Sequence, residues 1–290
     1  MNSKLSLAST VTMNDGHKIP LLGIGMGGMM GENEVQPLGE IAQNVILWAL
    51  EAGYRLIDTA TMYGNEEDIG IGIIKSGIPR DQIFITIKIQ NEDSGEGYEL
   101  TLKAADSSLS KLQTSYIDLL LLHTPKCGPQ KRAESYRALQ ELVKQGKVRS
   151  IGVSNFEVKH LKGLIDNNPE IIPAVNQIEV HPWNTRNDIV AYCAKHNIVV
   201  EAYAPLAKGK RLNDHVIIEI AEKYNKSAAQ ILIRWCLQNN FIPLPKSVNK
   251  EHIIDNTKVF DFEIEKEDMI TLGSLDEHFI VNGWDPADFD

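Results

Sequence analysis

Cysteine is scarce in this 290-residue chain: Cys127, Cys193 and Cys236 are the full set. An odd count with no CxxC spacing excludes a disulfide framework and a zinc cluster, and predicts a reducing compartment, the cytoplasm by default. Long apolar runs are missing as well. No stretch reaches about 18 apolar residues, so no membrane span is expected. The opening Met1-Asn2-Ser3-Lys4-Leu5 has no charged head followed by an apolar core, so no secretion signal is expected either. Positive charge is in deficit, 29 Lys and Arg against 39 Asp and Glu, for a formal net charge of -10. Such a balance speaks against a nucleic-acid partner, which needs a basic face, but leaves room for a local basic pocket holding one phosphorylated cofactor. No Pro- or Ser-rich linker, low-complexity tract or tandem motif interrupts the chain. One domain over residues 1–290 is therefore expected, a length ordinary for an α/β barrel.

What is present is alternation. Leu5 to Met13, the turn signal Asn14-Asp15-Gly16, and His17 to Leu22 predict a β-hairpin. Short apolar runs then follow at Leu21–Gly25, Leu56–Asp58, Phe84–Ile89, Ile117–Leu122, Ser150–Val153, Ala174–Val180, Val199–Tyr203 and Phe241–Leu244. Between them lie segments of 3.6-residue periodicity, among them Glu40–Ala52, Tyr98–Leu112, Arg132–Gln145, Val158–Asp166, Asp188–His196 and Ala228–Gln238. Eight such strands predict a parallel sheet covered on both faces. An open doubly wound sheet would carry a clean GxGxxG entering a helix after its first strand. Gly23-Ile24-Gly25-Met26-Gly27-Gly28 is not one, and loop-like residues follow it. The expectation is a (β/α)8 barrel of the TIM type with an N-terminal hairpin.

Catalytic groups of such barrels sit at the C-terminal ends of the strands. Polar residues ending or interrupting the apolar runs are Asp58, Lys88, His123, Ser154 with Asn155, Gln177, Tyr203, and Lys246 with Ser247. Each has a plain structural reading. An Asp after a strand caps helices, a Lys reaches water, and a His after a leucine run is a hydrogen-bonded core residue. Asp, Lys and His ending separate apolar strands point instead to one shared polar site.

Three longer motifs extend this. Gly53-Tyr54-Arg55-Leu56-Ile57-Asp58-Thr59-Ala60-Thr61-Met62-Tyr63-Gly64-Asn65-Glu66, Ile151-Gly152-Val153-Ser154-Asn155-Phe156, and Leu244-Pro245-Lys246-Ser247-Val248 followed by Asp255-Asn256 resemble, in order, the signatures of the aldo-keto reductases. The similarity runs from about Val11 to near the C-terminus. It implies NADPH-dependent reduction of aldehydes and ketones to alcohols, with a catalytic tetrad of Asp58, Tyr63, Lys88 and His123. The chemistry suits these residues. Nicotinamide supplies a hydride and the protein a proton and a position. A free phenol, with a pKa of about 10, is a poor match to neutral pH. A nearby ammonium, Lys88 held by Asp58, is expected to lower it. His123 would orient the carbonyl and, with Tyr63, receive the developing alkoxide.

The resemblance further implies that Ser154, Asn155 and Gln177 clamp the nicotinamide carboxamide and that Tyr203 stacks on the ring. It assigns Leu206, Val248 and Asn249 to the cofactor cleft, Lys246 and Ser247 to the adenosine 2′-phosphate, and Asp255 and Asn256 to the adenine. One departure is His252, where the family has a phosphate-binding arginine. Histidine lacks the permanent two-pronged charge, so NADPH preference is expected to be weakened and NADH use left open. In the substrate pocket, Gly27 and Thr124 stand where tryptophans are common. Met29 and Met30, Thr124 and Trp183 are the expected lining, and the short segments after Leu206 and Asp276, with Trp284 as anchor, imply an open site for modest substrates. No metal, membrane or nucleic-acid partner is expected, and the resemblance implies a monomer with a dimer left open. Two other readings remain at this point. Lys88 could form a Schiff base, although its carboxylate partner opposes that. The chain could also be a cofactor-binding regulatory subunit.

Overall fold

The hairpin forms where the Asp-Gly signal placed it. Strands β1 (Thr10–Thr12) and β2 (Lys18–Pro20) pair antiparallel, with Thr12 opposite Lys18. Gly16 turns the chain at φ +89°, and the Asp15 carboxylate accepts from the backbone N–H of His17 at 3.0 Å. The computed structural model describes residues 5–27, 36–89 and 97–290.

After the hairpin the chain alternates. In order come β3 (Gly23–Gly25), α1 (Gly39–Glu51), β4 (Leu56–Ala60), α2 (Glu66–Ser76), β5 (Phe84–Ile89), α3 (Tyr98–Lys111) and β6 (Ile117–Leu122). Then come α4 (Gly128–Lys144), β7 (Val148–Ser154), α5 (Val158–Asp166), β8 (Val175–Glu179), α6 (Asn187–Lys195) and β9 (Val199–Tyr203). The chain ends with α7 (His215–Tyr224), α8 (Ala228–Gln238), β10 (Phe241–Leu244), α9 (Lys250–Asp255) and α10 (Lys266–Gly273). Strands β3 to β10 lie side by side in chain order, and each pair formed is parallel. This is the (β/α)8 barrel. Helix α4 begins four residues before the periodic segment at Arg132, because Pro129 in its first turn costs no hydrogen bond there.

The barrel closes where β3 meets β10. The Gly25 N–H donates to the Pro245 carbonyl at 3.0 Å, and a Cβ on Gly25 would sit 2.9 Å from the Leu244 carbonyl oxygen. The glycine spacing after the first strand therefore serves barrel closure, not a phosphate loop.

Strand periodicity sorts the side chains into two apolar layers. Outward residues such as Ile57, Ile85, Ile87 and Leu120 join the helices in one core. Inward residues Leu56, Phe84, Leu119, Leu121, Val175, Ile242 and Leu244 fill the barrel, and Met13 and Ile19 of the hairpin plug its lower end. One or two steps further along the same inward faces the residues turn polar: Asp58, Thr86, Lys88, Gln177 and Glu201, all 4% exposed or less. No helix among the described residues is long and apolar enough to cross a membrane.

Since a methyl group at position 25 would press on backbone rather than on a movable side chain, Gly25→Ala is expected to destabilise the barrel by about 1–3 kcal/mol. A denaturant titration checks this: the midpoint falls with the slope unchanged.

Candidate active site

The inward polar layer is held together by charge. Lys88 Nζ reaches both carboxylate oxygens of Asp58, at 2.6 Å each, with Lys88 only 1% exposed. The Gln177 amide Nε2 donates to Asp58 Oδ2 at 2.7 Å and to Glu201 Oε2 at 2.8 Å. Four strands, β4, β5, β8 and β9, thus contribute to one buried network. A buried ammonium clasped in this way and set behind the cavity wall is no Schiff-base nucleophile, since that role needs a neutral amine open to substrate.

Tyr63 stands above this floor on a 3-10 turn, Thr61–Tyr63, which Gly64 ends at φ +68°. The loop is pinned by amides. Asn65, fully buried, donates to the carbonyls of Met26 (2.9 Å) and Pro37 (3.3 Å) and accepts from the Thr59 hydroxyl (2.7 Å). Gln36 donates to the Tyr63 carbonyl at 3.2 Å. The phenol ring lies 5.8 Å from the His123 ring, edge to face, and 5.3 Å from Lys88 Nζ. Asn65 was legible only as a letter of the first motif; its positioning role needed the fold.

Burial, then the charge of Asp58, holds the Tyr63 phenol well above its ordinary range. Desolvation outweighs the lowering expected from Lys88, and the Asp58 charge acts in the same direction as burial. Tyr63 therefore carries its proton at neutral pH. His123 shifts the other way: burial first, then the charges of Lys88 and Lys126, keep its imidazole well below 6.5 and neutral. Its Nδ1 is buried without a partner, so the hydrogen bond it can offer the cavity falls to Nε2.

A cavity of about 600 Å³ opens over these groups. Of the residues expected from sequence, Asp58, Tyr63, His123, Thr124, Ser154, Asn155, Gln177, Tyr203, Leu206, Lys246, Ser247 and Val248 line it. Asn155 sits at φ +62° and ties three strand ends together. Its amide donates to the His123 carbonyl (2.9 Å) and Ser154 Oγ (3.1 Å), and its oxygen accepts from the Tyr203 hydroxyl (2.8 Å). Ser154 in turn donates to the Gln177 carbonyl at 2.9 Å. An aromatic face at Tyr203, amide oxygens at Asn155 and Gln177, and a lysine and hydroxyl at Lys246 and Ser247 form a donor and acceptor set that fits a nicotinamide nucleotide phosphate.

Other expected residues lie elsewhere. Asn249, His252, Asp255 and Asn256 do not line the cavity. The Asn249 side chain is spent capping α9, accepting from the N–H groups of Glu251 (2.8 Å) and His252 (3.1 Å). His252 is exposed, Asp255 pairs with Lys258 at 2.7 Å, and Asn256 is buried. Trp183 is corrected most clearly. It is 2% exposed and absent from the cavity, with its indole N–H donating to Asp214 at 3.3 Å. Its carbonyl accepts from the backbone of Phe279 (2.9 Å), so it anchors the C-terminal tail. That tail supplies Trp284 to the cavity wall, with Asn282. Met29 and Met30 lie outside the described residues.

Sequence reading missed Met62, Lys126, Lys208 and Asn282, all of which line the cavity. Lys126 lies 5.0 Å over the Trp284 ring and 5.3 Å over Phe289. Only proximity to Tyr63 and His123 in the chain hinted at the first two. Gly27 acquires a meaning beyond a missing tryptophan: a Cβ there would meet the Tyr63 ring at 2.1 Å.

The sequence model of the aldo/keto reductase family matches residues 22–277. The chain is 44% identical over 272 residues to a glyoxal reductase of Bacillus subtilis, covering 94% of each. It superposes on the crystal structure of an aldo/keto reductase from Brucella melitensis with a TM-score of 0.86 at 43% identity, over 92% of this chain and 99% of the other. A Bombyx mori aldo-keto reductase in complex with NADP gives a TM-score of 0.86 at 34% identity, over 96% and 95%.

Because the space beside Gly27 is taken by the phenol, Gly27→Ala is expected to displace Tyr63 from His123. Turnover should fall about 100-fold, as misplacement of a reacting group by an ångström can do, while the thermal midpoint moves little. Steady-state kinetics beside a melting curve would show the two effects apart.

Proposed function

Since the chain belongs to the aldo/keto reductase family, and so to the NAD(P)H-dependent oxidoreductases, we propose that it reduces small aldehydes and ketones to alcohols with NADPH, and that Tyr63 delivers the proton. The observation that carries this is the convergence of Tyr63 and His123 on one cavity above the buried Lys88–Asp58 pair, where burial favours the protonated phenol and the neutral imidazole. When bound, the nicotinamide supplies the hydride. Tyr203, Asn155 and Gln177 would hold its ring and carboxamide, and Lys246 with Ser247 the 2′-phosphate.

The residues of the chain then do the following. His123, neutral, donates a hydrogen bond to the substrate carbonyl and orients it without competing for the proton. Tyr63 holds its proton until negative charge grows on that oxygen. An alkoxide is a stronger base than a phenolate, so transfer is downhill even from a phenol of raised pKa. Lys88, 5.3 Å from the ring, faces the phenolate so formed, and Asp58 fixes the ammonium in place.

The wall near Tyr63 is made by Met62, Thr124, Lys126 and Trp284. The relative named glyoxal reductase makes glyoxal and similar dicarbonyls the first to try. The low, odd cysteine count suits a reducing cytoplasm, and a single barrel domain acting as a monomer completes the proposal.

Absorbance at 340 nm should fall when the protein meets NADPH and a short aldehyde. No oxidation across a varied aldehyde and ketone panel would end the reductase reading. Tyr63→Phe is expected to lower turnover by about 10²–10⁴-fold, the usual worth of a positioned proton donor, with NADPH binding retained. Normal turnover in that variant would take the proton away from Tyr63. His252→Arg is expected to raise the NADPH over NADH preference in kcat/KM; an unchanged ratio would place His252 away from the phosphate.

A further inference from the structure

Glu201 is a carboxyl group with no assigned part in the chemistry. It lies on β9 inside the barrel and is fully buried. The register sets it directly opposite Gln177 of β8, and its Oε2 accepts from Gln177 Nε2 at 2.8 Å. The charged groups around it are Asp58 and Lys88, with the Thr86 hydroxyl beside it and Ile242 opposite on β10. An acidic side chain in this place is costly unless it serves something, because the Lys88 charge is already matched by Asp58.

What it serves is the orientation of one amide. A glutamine amide has two N–H donors and one oxygen. Nε2 of Gln177 lies 2.7 Å from Asp58 Oδ2 and 2.8 Å from Glu201 Oε2, so each N–H has its own acceptor. With both donors drawn into the barrel floor, Oε1 is the atom left for the cavity that Gln177 lines. Without Glu201, one N–H would be free, and donor and acceptor would compete for the cavity.

We propose that Glu201 is a positioning residue of the cofactor site: with Asp58 it fixes the Gln177 amide so that only Oε1 meets the nicotinamide, selecting a carboxamide that donates an N–H. The inference rests on the nicotinamide reading of the cavity given above. Glu201 acts as a neutral acceptor. Burial and the neighbouring Asp58 charge push its carboxyl up to about 8, so at pH 7 it holds a proton and adds no net charge to the floor.

The test compares NADP with its 3-acetylpyridine analogue, in which the carboxamide N–H is replaced by a methyl group, by calorimetric titration at pH 7. Wild type should bind the analogue about tenfold more weakly than NADP, the loss of about one hydrogen bond. Glu201→Gln, which keeps a carbonyl acceptor at the same place, should keep that ratio. Glu201→Leu should bring the ratio close to one while NADP still binds, with a modest fall in the thermal midpoint of the unliganded protein because a buried Gln177 N–H loses its acceptor. Wild type that binds both cofactors equally, or Glu201→Leu that keeps the full ratio, overturns the proposal. So does a loss of discrimination in Glu201→Gln, which would give the role to charge. No saturable binding of NADP by wild type would bring down the reading of the cavity itself, a result distinct from binding without discrimination.

Discussion

A lysine ammonium inside a barrel otherwise filled with leucine, isoleucine and phenylalanine is stable only if its charge is met within the protein. Asp58 meets Lys88 with both oxygens, and much else in the site follows from that pair. Removing either partner would leave an isolated buried charge, at a cost of about 3–5 kcal/mol. The pair requires further donors to satisfy the carboxylate, and Gln177 supplies one. It also decides what Lys88 can do. A lysine so held is neither a base nor a nucleophile. It is a fixed positive charge near the Tyr63 ring, held in place by Asp58.

Tyr63 and His123 are tuned in opposite directions by the same burial. Desolvation penalises whichever form is charged. It therefore keeps the phenol protonated and the imidazole unprotonated, the two states that reduction of a carbonyl requires. The expectation that Lys88, held by Asp58, would make Tyr63 more acidic left out the desolvation of the phenol, which is set by the fold and could not be read from residue identity.

The far half of the cavity obeys a different constraint, set by backbone closure. Gly25 lets β3 approach β10 closely enough to hydrogen-bond beyond its end, and that closure places Lys246, Ser247 and Val248 on the cavity wall beside Gly25. The residues that follow enter a short helix, and Asn249 caps it. A side chain that satisfies a helix end cannot at the same time be assigned wholly to a ligand. The C-terminal tail closes the remaining side. Its N–H at Val281 meets the buried Glu179 at 2.7 Å, which brings Asn282 and Trp284 to the rim.

The sequence alone determined the barrel and the hairpin, and pointed to Asp58, Tyr63, Lys88 and His123 as residues that would lie together. Eight apolar runs of strand length, separated by helical periodicity, have few ways to bury both faces, and polar residues at the ends of such runs must converge. In helix α2, Gly70 and Gly72 each sit where a Cβ would strike Leu112, or Ile46 and Gln43, a closeness that periodicity does not report. Tertiary structure alone decided that Trp183 faces the core while Trp284 faces the cavity, that Gly27 makes room for the Tyr63 ring, and that Glu201 stands behind Gln177. These are facts about what lies opposite a residue across the barrel or the tail. Periodicity reports which side of a strand a residue occupies, not which neighbour the closed barrel brings to meet it.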